Sequence, residues 1–226
     1  EVKINFLDTP GYFDFVGEVE EAVAAADAAI IVVSGKAGVE VGTQKAWDLC
    51  EKYNLPRMFF ISEMDVDNAS FREVVETLTE QYGKKIAPFY QPIRENEKFV
   101  GYVNVVKKSG RRFTGIGQRE KCEIPDYCMD NLEIYREALM DAVAETSEEL
   151  MEKFFEGEEF TPDEIILGVA QGVKDGTLCP VFCGDAHSTY GIEQFMNSLS
   201  WLAPTAADKG AEVGVDVNGD PVDITV

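Results

Sequence analysis

Short apolar runs alternate with amphipathic helical segments along the first third of this chain. The run 28–33 is apolar throughout, as in a strand that is buried on both faces, and 57–61 is a second candidate strand. We expect helices over 15–26, 43–53 and 70–82. Strands that alternate with helices of about 10–15 residues predict βαβ crossovers, and hence a doubly wound, mostly parallel α/β sheet.

The N-terminal stretch carries the first candidate site. Alternating apolar residues predict a strand over 2–6, which is followed by Asp8-Thr9-Pro10-Gly11 and by a helix that begins near Asp14. Ligands bind at the carboxyl ends of strands in open α/β sheets. The glycine lets a backbone N–H approach a phosphate oxygen, and a helix N-terminus adds positive potential. This order therefore predicts a phosphate and metal site.

These residues resemble the DxxG element of translational GTPases, and the chain as a whole resembles elongation factor G. Within that family it is similar to a paralogous, elongation factor G-like subgroup at 13–19, 27–29, Gly38-Val39 and Gly42-Thr43. The resemblance extends to about Pro204. It implies a P-loop GTPase fold, GTP or GDP with Mg²⁺ as ligands, and a cytoplasmic protein that works on the ribosome.

The resemblance gives the DxxG residues their expected roles. Asp8 would hold Mg²⁺ through water, and the Gly11 N–H would bond the γ-phosphate, with Thr9 and Pro10 completing the turn. Tyr12 stands where the family commonly places the histidine that orients the attacking water. A phenol with a pKa near ~10 does not replace an imidazole near neutral pH, although it can still hydrogen-bond a water. Hydrolysis is therefore expected to be slow, differently stimulated or lost.

The family's guanine-specificity motif, NKxD, corresponds here to Ser62-Glu63-Met64-Asp65. Asp65 is retained, and its two oxygens can accept from the guanine N1–H and exocyclic amine, a bidentate contact worth ~1–3 kcal/mol. Glu63 replaces the lysine whose stem covers the base, so we expect weaker affinity or looser base selection. In the last nucleotide loop, Asp185 replaces the usual serine and Ala186 would give its N–H to guanine O6.

The P-loop of this family is missing from the sequence. No GxxxxGK[ST] occurs, and the resemblance implies that this loop, its helix and the first switch would precede Glu1. The chain is thus expected to be an N-terminally truncated GTPase domain, and this segment alone is expected to bind nucleotide poorly and to be inactive.

The strand–helix alternation changes near Lys84. We predict a GTPase core over 1–84 and 178–205, an inserted α+β subdomain over 85–177, and a tail or linker over 206–226. Strands are expected over 86–93 and 99–106, followed by a basic turn over 107–112 and helices over 130–146, 148–156 and 162–174, with a returning strand over 178–183 and a last helix over 192–202. In the family such an insertion contacts the ribosomal stalk protein, which the acidic helices make a candidate partner here.

Composition excludes several classes of function. The formal net charge is −22, so direct nucleic-acid binding by this segment is not expected. No apolar run reaches the ~18 residues of a membrane span. Five cysteines without a secretory signal indicate a reducing cytosol, and Cys179 and Cys183 are expected to fill a strand rather than bind zinc.

Three readings of function stay open within the family. The first is GTP hydrolysis coupled to a ribosome-bound conformational change. The second is a non-hydrolysing ribosome or stalk interaction module, because the residues at four nucleotide contacts depart from the family: Tyr12, Ser62, Glu63 and Asp185. The third is a ribosomal protection factor. An unrelated α/β enzyme is disfavoured, since no Ser-His-Asp set, Cys-His pair or GxGxxG fits one.

Overall fold

The computed structural model describes residues 2–209 and 212–224. Its strands are β1 Ala29–Ser34, β2 Arg57–Ser62, β3 Ile86–Pro88, β4 Tyr90–Glu95, β5 Lys98–Asn104, β6 Ser109–Gly115, β7 Gln118–Cys122, β8 Cys179–Cys183, β9 Glu212–Val215 and β10 Pro221–Ile224. Its α-helices are α1 Val16–Ala25, α2 Val41–Lys52, α3 Phe71–Tyr82, α4 Asp126–Ala144, α5 Glu148–Glu156, α6 Pro162–Lys174, α7 Ile192–Leu202 and α8 Ala206–Lys209.

The predicted α/β fold with a mostly parallel sheet is confirmed. Strands β1, β2, β8 and β3 form one sheet in that order, and every neighbouring pair is parallel. The central strands are apolar and buried on both faces, with Phe59, Ile61, Val181 and Phe182 fully enclosed. Two-sided burial is what a parallel sheet covered by crossover helices requires.

Local signals in the sequence determine where the core helices begin and end. The Ser70 hydroxyl accepts from the Glu73 N–H at 3.2 Å and caps α3, and Gly83 ends that helix at a φ of +78°. The predicted start of α2 at Thr43 is wrong by two residues. Thr43 lies inside the first turn, where its hydroxyl accepts from the Glu40 N–H at 3.3 Å.

The predicted insertion contains a second, antiparallel sheet and three helices. Strands β4, β5, β6 and β7 pair in chain order, and α4 buries one apolar stripe, which consists of Leu132, Tyr135, Leu139 and Val143. The expected basic turn over 107–112 is wrong in extent, because β6 begins at Ser109 and β7 follows it. β6 contains two consecutive arginines and β7 begins with four consecutive polar residues, so neither strand shows the apolar alternation that marks a strand.

The strand predicted over 86–93 is divided between the two sheets. Its first part, β3, pairs in parallel with β8 at the edge of the core sheet, and its second part, β4, begins the antiparallel sheet. Between them, the Phe89 N–H donates to the Val181 carbonyl at 2.9 Å. The chain therefore crosses from one sheet to the other without a loop.

The strand predicted over 2–6 is wrong. Residues 2–11 adopt neither helix nor strand, and the side chains of Val2, Phe6 and Leu7 are exposed. Alternation supplies the side-chain pattern of a strand but not its partner, and an unpaired strand leaves its backbone groups to water.

The C-terminal stretch that was expected to be a tail contains regular structure in its described part. Helix α8 is followed by β9 and β10, which pair as an antiparallel hairpin. Among the helices of the described residues, none is long and apolar enough to cross a membrane.

Candidate functional site

The loops that follow β1, β2 and β8 meet at one edge of the parallel sheet. These strands end at Ser34, Ser62 and Cys183, and parallel strands end on the same side. The Gly35 N–H donates to the Ser62 carbonyl at 2.9 Å. The Met64 N–H points to the Gly184 carbonyl at 3.4 Å. Three chain segments that are distant in sequence thus form a single polar rim.

Ser34 links the β1 loop to the residue that replaces the family's lysine. Its hydroxyl donates to the carboxylate of Glu63 and accepts from the N–H groups of Lys36 and Ala37 at 3.2 and 3.1 Å. Glu63 has a φ of +59°, a left-handed conformation that is uncommon for a residue with a side chain. This contact directs the Glu63 side chain toward the β1 loop.

Gly35 allows the β1 and β2 loops to approach this closely. A Cβ at this position would lie 2.1 Å from the Met64 Cε atom and 2.9 Å from the Ser62 carbonyl oxygen. Met64 is completely buried beneath the loop. The small residue and the large one thus fit together, and Met64 is a packing residue at the base of the rim.

The central feature of the rim is a pair of carboxyl groups. Burial, followed by hydrogen bonding to the neighbouring Asp185 and by its charge, raises the pKa of Asp65. Burial also acts on Asp185, but hydrogen bonds from Ser188 outweigh it and lower the pKa of Asp185. The Ser188 N–H lies 2.5 Å from the Asp185 carboxylate. Asp185 is therefore the more strongly ionised member, and Asp65 is the member that more readily holds a proton.

The loop from Gly184 to Gly191 holds Asp185 in place. The Asp185 N–H donates to the Tyr190 carbonyl at 2.9 Å, which closes the loop on itself. Gly191 has a φ of +85°, and a Cβ there would lie 2.5 Å from the Cys183 carbonyl oxygen. Ala186 and His187 lie in the outer part of this loop.

The antiparallel sheet supports the same loop from the side. The Phe113 ring stacks on the Tyr190 ring, with centroids 4.4 Å apart and planes 14° apart. Stacked aromatic pairs contribute ~0.5–1.5 kcal/mol beyond the area that they bury. The predicted insertion is thus physically coupled to the candidate base-binding loop.

The structure brings some of the predicted site residues together and shows no contact between these and the others. Ser62, Glu63, Met64, Asp65 and Asp185 lie at the rim, with Ala186 in the same loop. The remaining set, Asp8, Thr9, Pro10, Gly11 and Tyr12, lies in or next to the exposed segment 2–11, and Tyr12 is 79% exposed. Within the described residues, no hydrogen bond or ion pair joins that set to the rim.

The donor set at the rim consists of carboxylate oxygens and does not form a metal cage in the described residues. Asp65 and Asp185 offer carboxylate oxygens to ligand donors at the rim. Among the described residues, no group of three or more His, Cys, Asp or Glu side chains could hold a metal ion. Mg²⁺ keeps most of its waters and uses one or two carboxylates, so the exposed Asp8 is compatible with a water-bridged ion, and its role as a ligand stays a prediction.

Sequence reasoning missed two residues of the rim. Neither Ser34 nor Ser188 was singled out. A signal for Ser188 was available, because an Asp followed three residues later by Ser is a common turn arrangement in which the carboxylate accepts a backbone N–H. Nothing local marks Ser34, whose partner Glu63 belongs to another strand end.

A parallel α/β sheet whose polar loops meet at the carboxyl edge defines a domain that binds a ligand at that edge. Comparison with known proteins then identifies the kind of domain. The family model for the elongation factor Tu GTP binding domain matches residues 1–205, and the chain therefore belongs to this family of translational GTPases.

A solved structure agrees with this assignment. The chain is similar to the crystal structure of ttk003000868 from Thermus thermophilus, with a TM-score of 0.81 and 32% sequence identity over 92% of this chain. The chain spans 33% of the length of that protein. The predicted translational GTPase fold, with its parallel core sheet and its additional antiparallel sheet, is thus confirmed.

Proposed function

We propose that this chain is the guanine-binding part of a GTP-binding domain in an elongation factor G-like translation factor. The observation that carries the proposal is that the loops of Asp65 and Asp185 follow the paired strands β2 and β8 and meet at the carboxyl edge of the parallel sheet, where the two carboxyl groups act on each other's pKa. Guanine presents an N1–H and an amino group side by side, and a carboxylate can accept from both. Adenine offers an acceptor at N1, so it would leave the Asp65 carboxylate unpaired and repelled.

The proposed base site differs from its relatives in charge. Glu63 occupies the place of a lysine and turns to Ser34, so it neither covers the base nor attracts phosphate. Asp185 adds a second negative charge beside Asp65. Asp185 adds an acceptor for donors of the base, and both negative charges weaken the attraction of the phosphates. We therefore expect selective but weak guanine nucleotide binding, with the Ala186 N–H directed at O6.

The phosphate end of the proposed site involves the N-terminal segment. Asp8, Thr9, Pro10 and Gly11 are proposed to contact the γ-phosphate and Mg²⁺. Within the described residues, β1 pairs as a strand with β2 alone, and Val32 on β1 is 61% exposed. This unpaired edge has room for a further parallel strand that leads into a phosphate-binding loop.

We propose that the whole protein hydrolyses GTP on the ribosome, in the cytoplasm, and couples hydrolysis to a conformational change. Tyr12 is proposed to position the attacking water through its hydroxyl. The acidic α4 and α5 helices are the proposed contact for the ribosomal stalk protein. A ribosomal protection factor would use the same domain in the same way.

A second candidate function is a ribosome-binding module that does not hydrolyse GTP. The contact between Glu63 and Ser34 favours this candidate, because it replaces a ligand contact by an internal one. Both candidates keep the family and differ in turnover alone.

The proposal is tested by titrating the full-length protein with fluorescent GTP, GDP and ATP, and by measuring phosphate release with and without ribosomes. We expect GTP and GDP to bind and ATP to fail to compete. Binding of ATP as tight as that of GTP would contradict the base site. Phosphate release no faster than that of ribosomes alone would favour the non-hydrolysing module.

A further inference from the structure

A basic cleft that does not contain the residues of the proposed base site lies between the β6–β7 hairpin and the first turn of α7. It is open to solvent and has a volume of about 630 Å³. Its lining residues are mostly cationic or neutral hydrogen-bond donors, namely Arg111, Thr114, Gly117, Gln118, Arg119, Lys121 and Glu193. Three cations around one cleft stand out in a chain whose net charge is −22.

Two of these cations lie directly opposite each other on neighbouring strands. Arg111 of β6 pairs in register with Lys121 of β7, and Arg119 lies two residues before Lys121 on the same face. Like charges in a directly opposed pair destabilise a sheet. Without a bound anion, the repulsion between Arg111 and Lys121 therefore destabilises this part of the sheet.

The surrounding acidic residues do not remove that cost. Arg119 forms an ion pair with Glu193 at 2.8 Å. Within the described part of the chain, neither Arg111 nor Lys121 forms an ion pair, and Arg111 donates only to its neighbouring Gly110 carbonyl at 3.4 Å. Two of the three cations thus remain available to an anion from outside.

Protection of the sheet edge explains only part of this cluster. β7 is the last strand of its sheet, and charged residues on edge strands prevent pairing with other chains. That reason applies to Arg119 and Lys121. It does not apply to Arg111, which lies on the inner strand β6.

We propose that this cleft binds the phosphate groups of an RNA strand. Phosphate and sugar contacts come mainly from Arg, Lys, Ser, Thr, Asn and Gln side chains and from backbone N–H groups, and the cleft presents Arg, Lys, Thr and Gln together. A small-molecule site is usually enclosed and mostly apolar, whereas this cleft is open and polar. The binding of RNA is argued from the cleft alone. That the RNA belongs to the ribosome rests on the proposed function.

The cleft also adjoins the loop that carries Asp185. Glu193, which contacts Arg119, lies in the first turn of α7, directly after that loop, and Phe113 of β6 stacks on Tyr190 within it. RNA held against β6 and β7 would therefore press on the elements that support the proposed base site. Under this proposal, the expectation of no nucleic-acid binding applies to the acidic surfaces of the segment and not to this cleft.

The test is binding of a fluorescent single-stranded oligouridylate to the full-length protein over a range of salt concentrations. The variant is Arg111→Gln/Lys121→Gln, and the matched control is Arg72→Gln/Lys84→Gln. The control removes two exposed cations that lie outside the cleft and form ion pairs with Glu76 and Asp141. For single strands, log K falls as log salt rises, and each phosphate contact makes that slope steeper by about 0.7. We expect the first variant to make the slope shallower by about 1.4, for two lost contacts, and the control to leave the slope nearly unchanged.

Several results would overturn the proposal. One is an equal slope for the wild-type protein and the cleft variant, and another is an equal fall for both variants. A third is displacement of the RNA by a polyglutamate of matched charge at the same concentration, which would identify a site for acidic peptides. A fourth is displacement by millimolar inorganic phosphate, which would identify a site for a free anion.

Folding and nucleotide binding are checked separately. Removing the opposed charges should leave the melting temperature of the cleft variant equal to or above that of the wild type, so a loss of RNA binding cannot come from unfolding. GTP titration of the same variant should match that of the wild-type protein. Absence of GTP binding in both proteins would defeat the proposed function and leave the RNA result standing.

Discussion

The carboxyl groups of Asp65 and Asp185 lie beside each other at the carboxyl edge of the parallel sheet. Asp65 follows β2 and Asp185 follows β8, and the pairing of these two strands brings the groups together. Two ionised carboxylates side by side repel each other, and a base that donates hydrogen bonds would relieve that repulsion.

The first prediction concerns the pH dependence of stability. The pKa of Asp65 is raised in the folded state, mainly by burial and then by Asp185. Its stabilising contribution is therefore present below the pKa of the unfolded chain and is lost as pH rises through the folded pKa. Asp65→Asn should increase the free energy of unfolding at pH 7 by about 1 kcal/mol, because an amide can donate to Asp185 without a charge. The gain should vanish near about pH 3, below the ordinary pKa of an aspartate.

Urea unfolding at both pH values measures this effect. Asp67→Asn is the matched control, since Asp67 is a residue of the same loop, and this change should shift stability by no more than about 0.5 kcal/mol. A loss of stability in Asp65→Asn at pH 7 would show that the two carboxyl groups do not repel each other.

The second prediction concerns the close approach of the β1 and β2 loops. Gly35→Ala would place a Cβ 2.1 Å from the Met64 Cε atom and 2.9 Å from the Ser62 carbonyl oxygen. Such overpacking should cost about 1–3 kcal/mol in the free energy of unfolding. In Gly42→Ala, by contrast, the new Cβ meets nothing within 4 Å. As an alanine inside α2, it should stabilise the protein by about 0.5–1 kcal/mol. Equal thermal shifts for the two variants would refute this account of the loop.

The third prediction concerns Glu63. Replacing it by lysine removes the contact with Ser34 and restores a cation near the phosphates, so the affinity of the full-length protein for GTP should rise about tenfold, which corresponds to ~1.4 kcal/mol. Glu63→Gln keeps a polar group beside Ser34 and removes only the charge, and its gain should be smaller. Fluorescent GTP titration distinguishes the two variants, and weaker binding by Glu63→Lys would be evidence against the proposed orientation of the base.

The fourth prediction concerns the cysteines. Burial raises the pKa of Cys50 to about 11 and that of Cys179 to about 12, and it also raises the pKa of Cys183. Cys122 is partly exposed. Mass spectrometry after brief iodoacetamide treatment of the native protein should find Cys122 modified first, because the thiolate is the reactive form and must be reached. Equally rapid labelling of Cys183 would indicate that β8 is open to solvent.

Features with short-range causes could be predicted from the sequence. Thr161 and Glu164 form a reciprocal cap at the start of α6, with the Thr161 N–H 2.7 Å from the Glu164 carboxylate. The strand β1 could likewise be predicted, from its own uninterrupted apolar run. Such elements depend on residues within one helical turn or one strand. The succession of these strands and helices along the chain could therefore be predicted from the sequence.

Features that depend on long-range pairing could not be predicted. The strand expected over 2–6 has the right alternation but no partner in the described structure. β3 belongs to the core sheet because β8, far along the chain, pairs with it. The Asp65–Asp185 pair and the contact of Ser34 with Glu63 likewise join separate loops, so the sequence supplied the residues of the rim but not their arrangement.

The most direct measurement of the central claim is the base preference of Asp65→Asn in the full-length protein. An aspartate accepts from the guanine N1–H and amino group, whereas an asparagine can donate to the carbonyl that xanthine carries in place of that amino group. If Asp65 reads the base, the variant should lose affinity for GTP by about 10-fold or more and gain affinity for XTP, as expected for a bidentate contact of ~1–3 kcal/mol. Unchanged affinities for both nucleotides would contradict a guanine site at this pair.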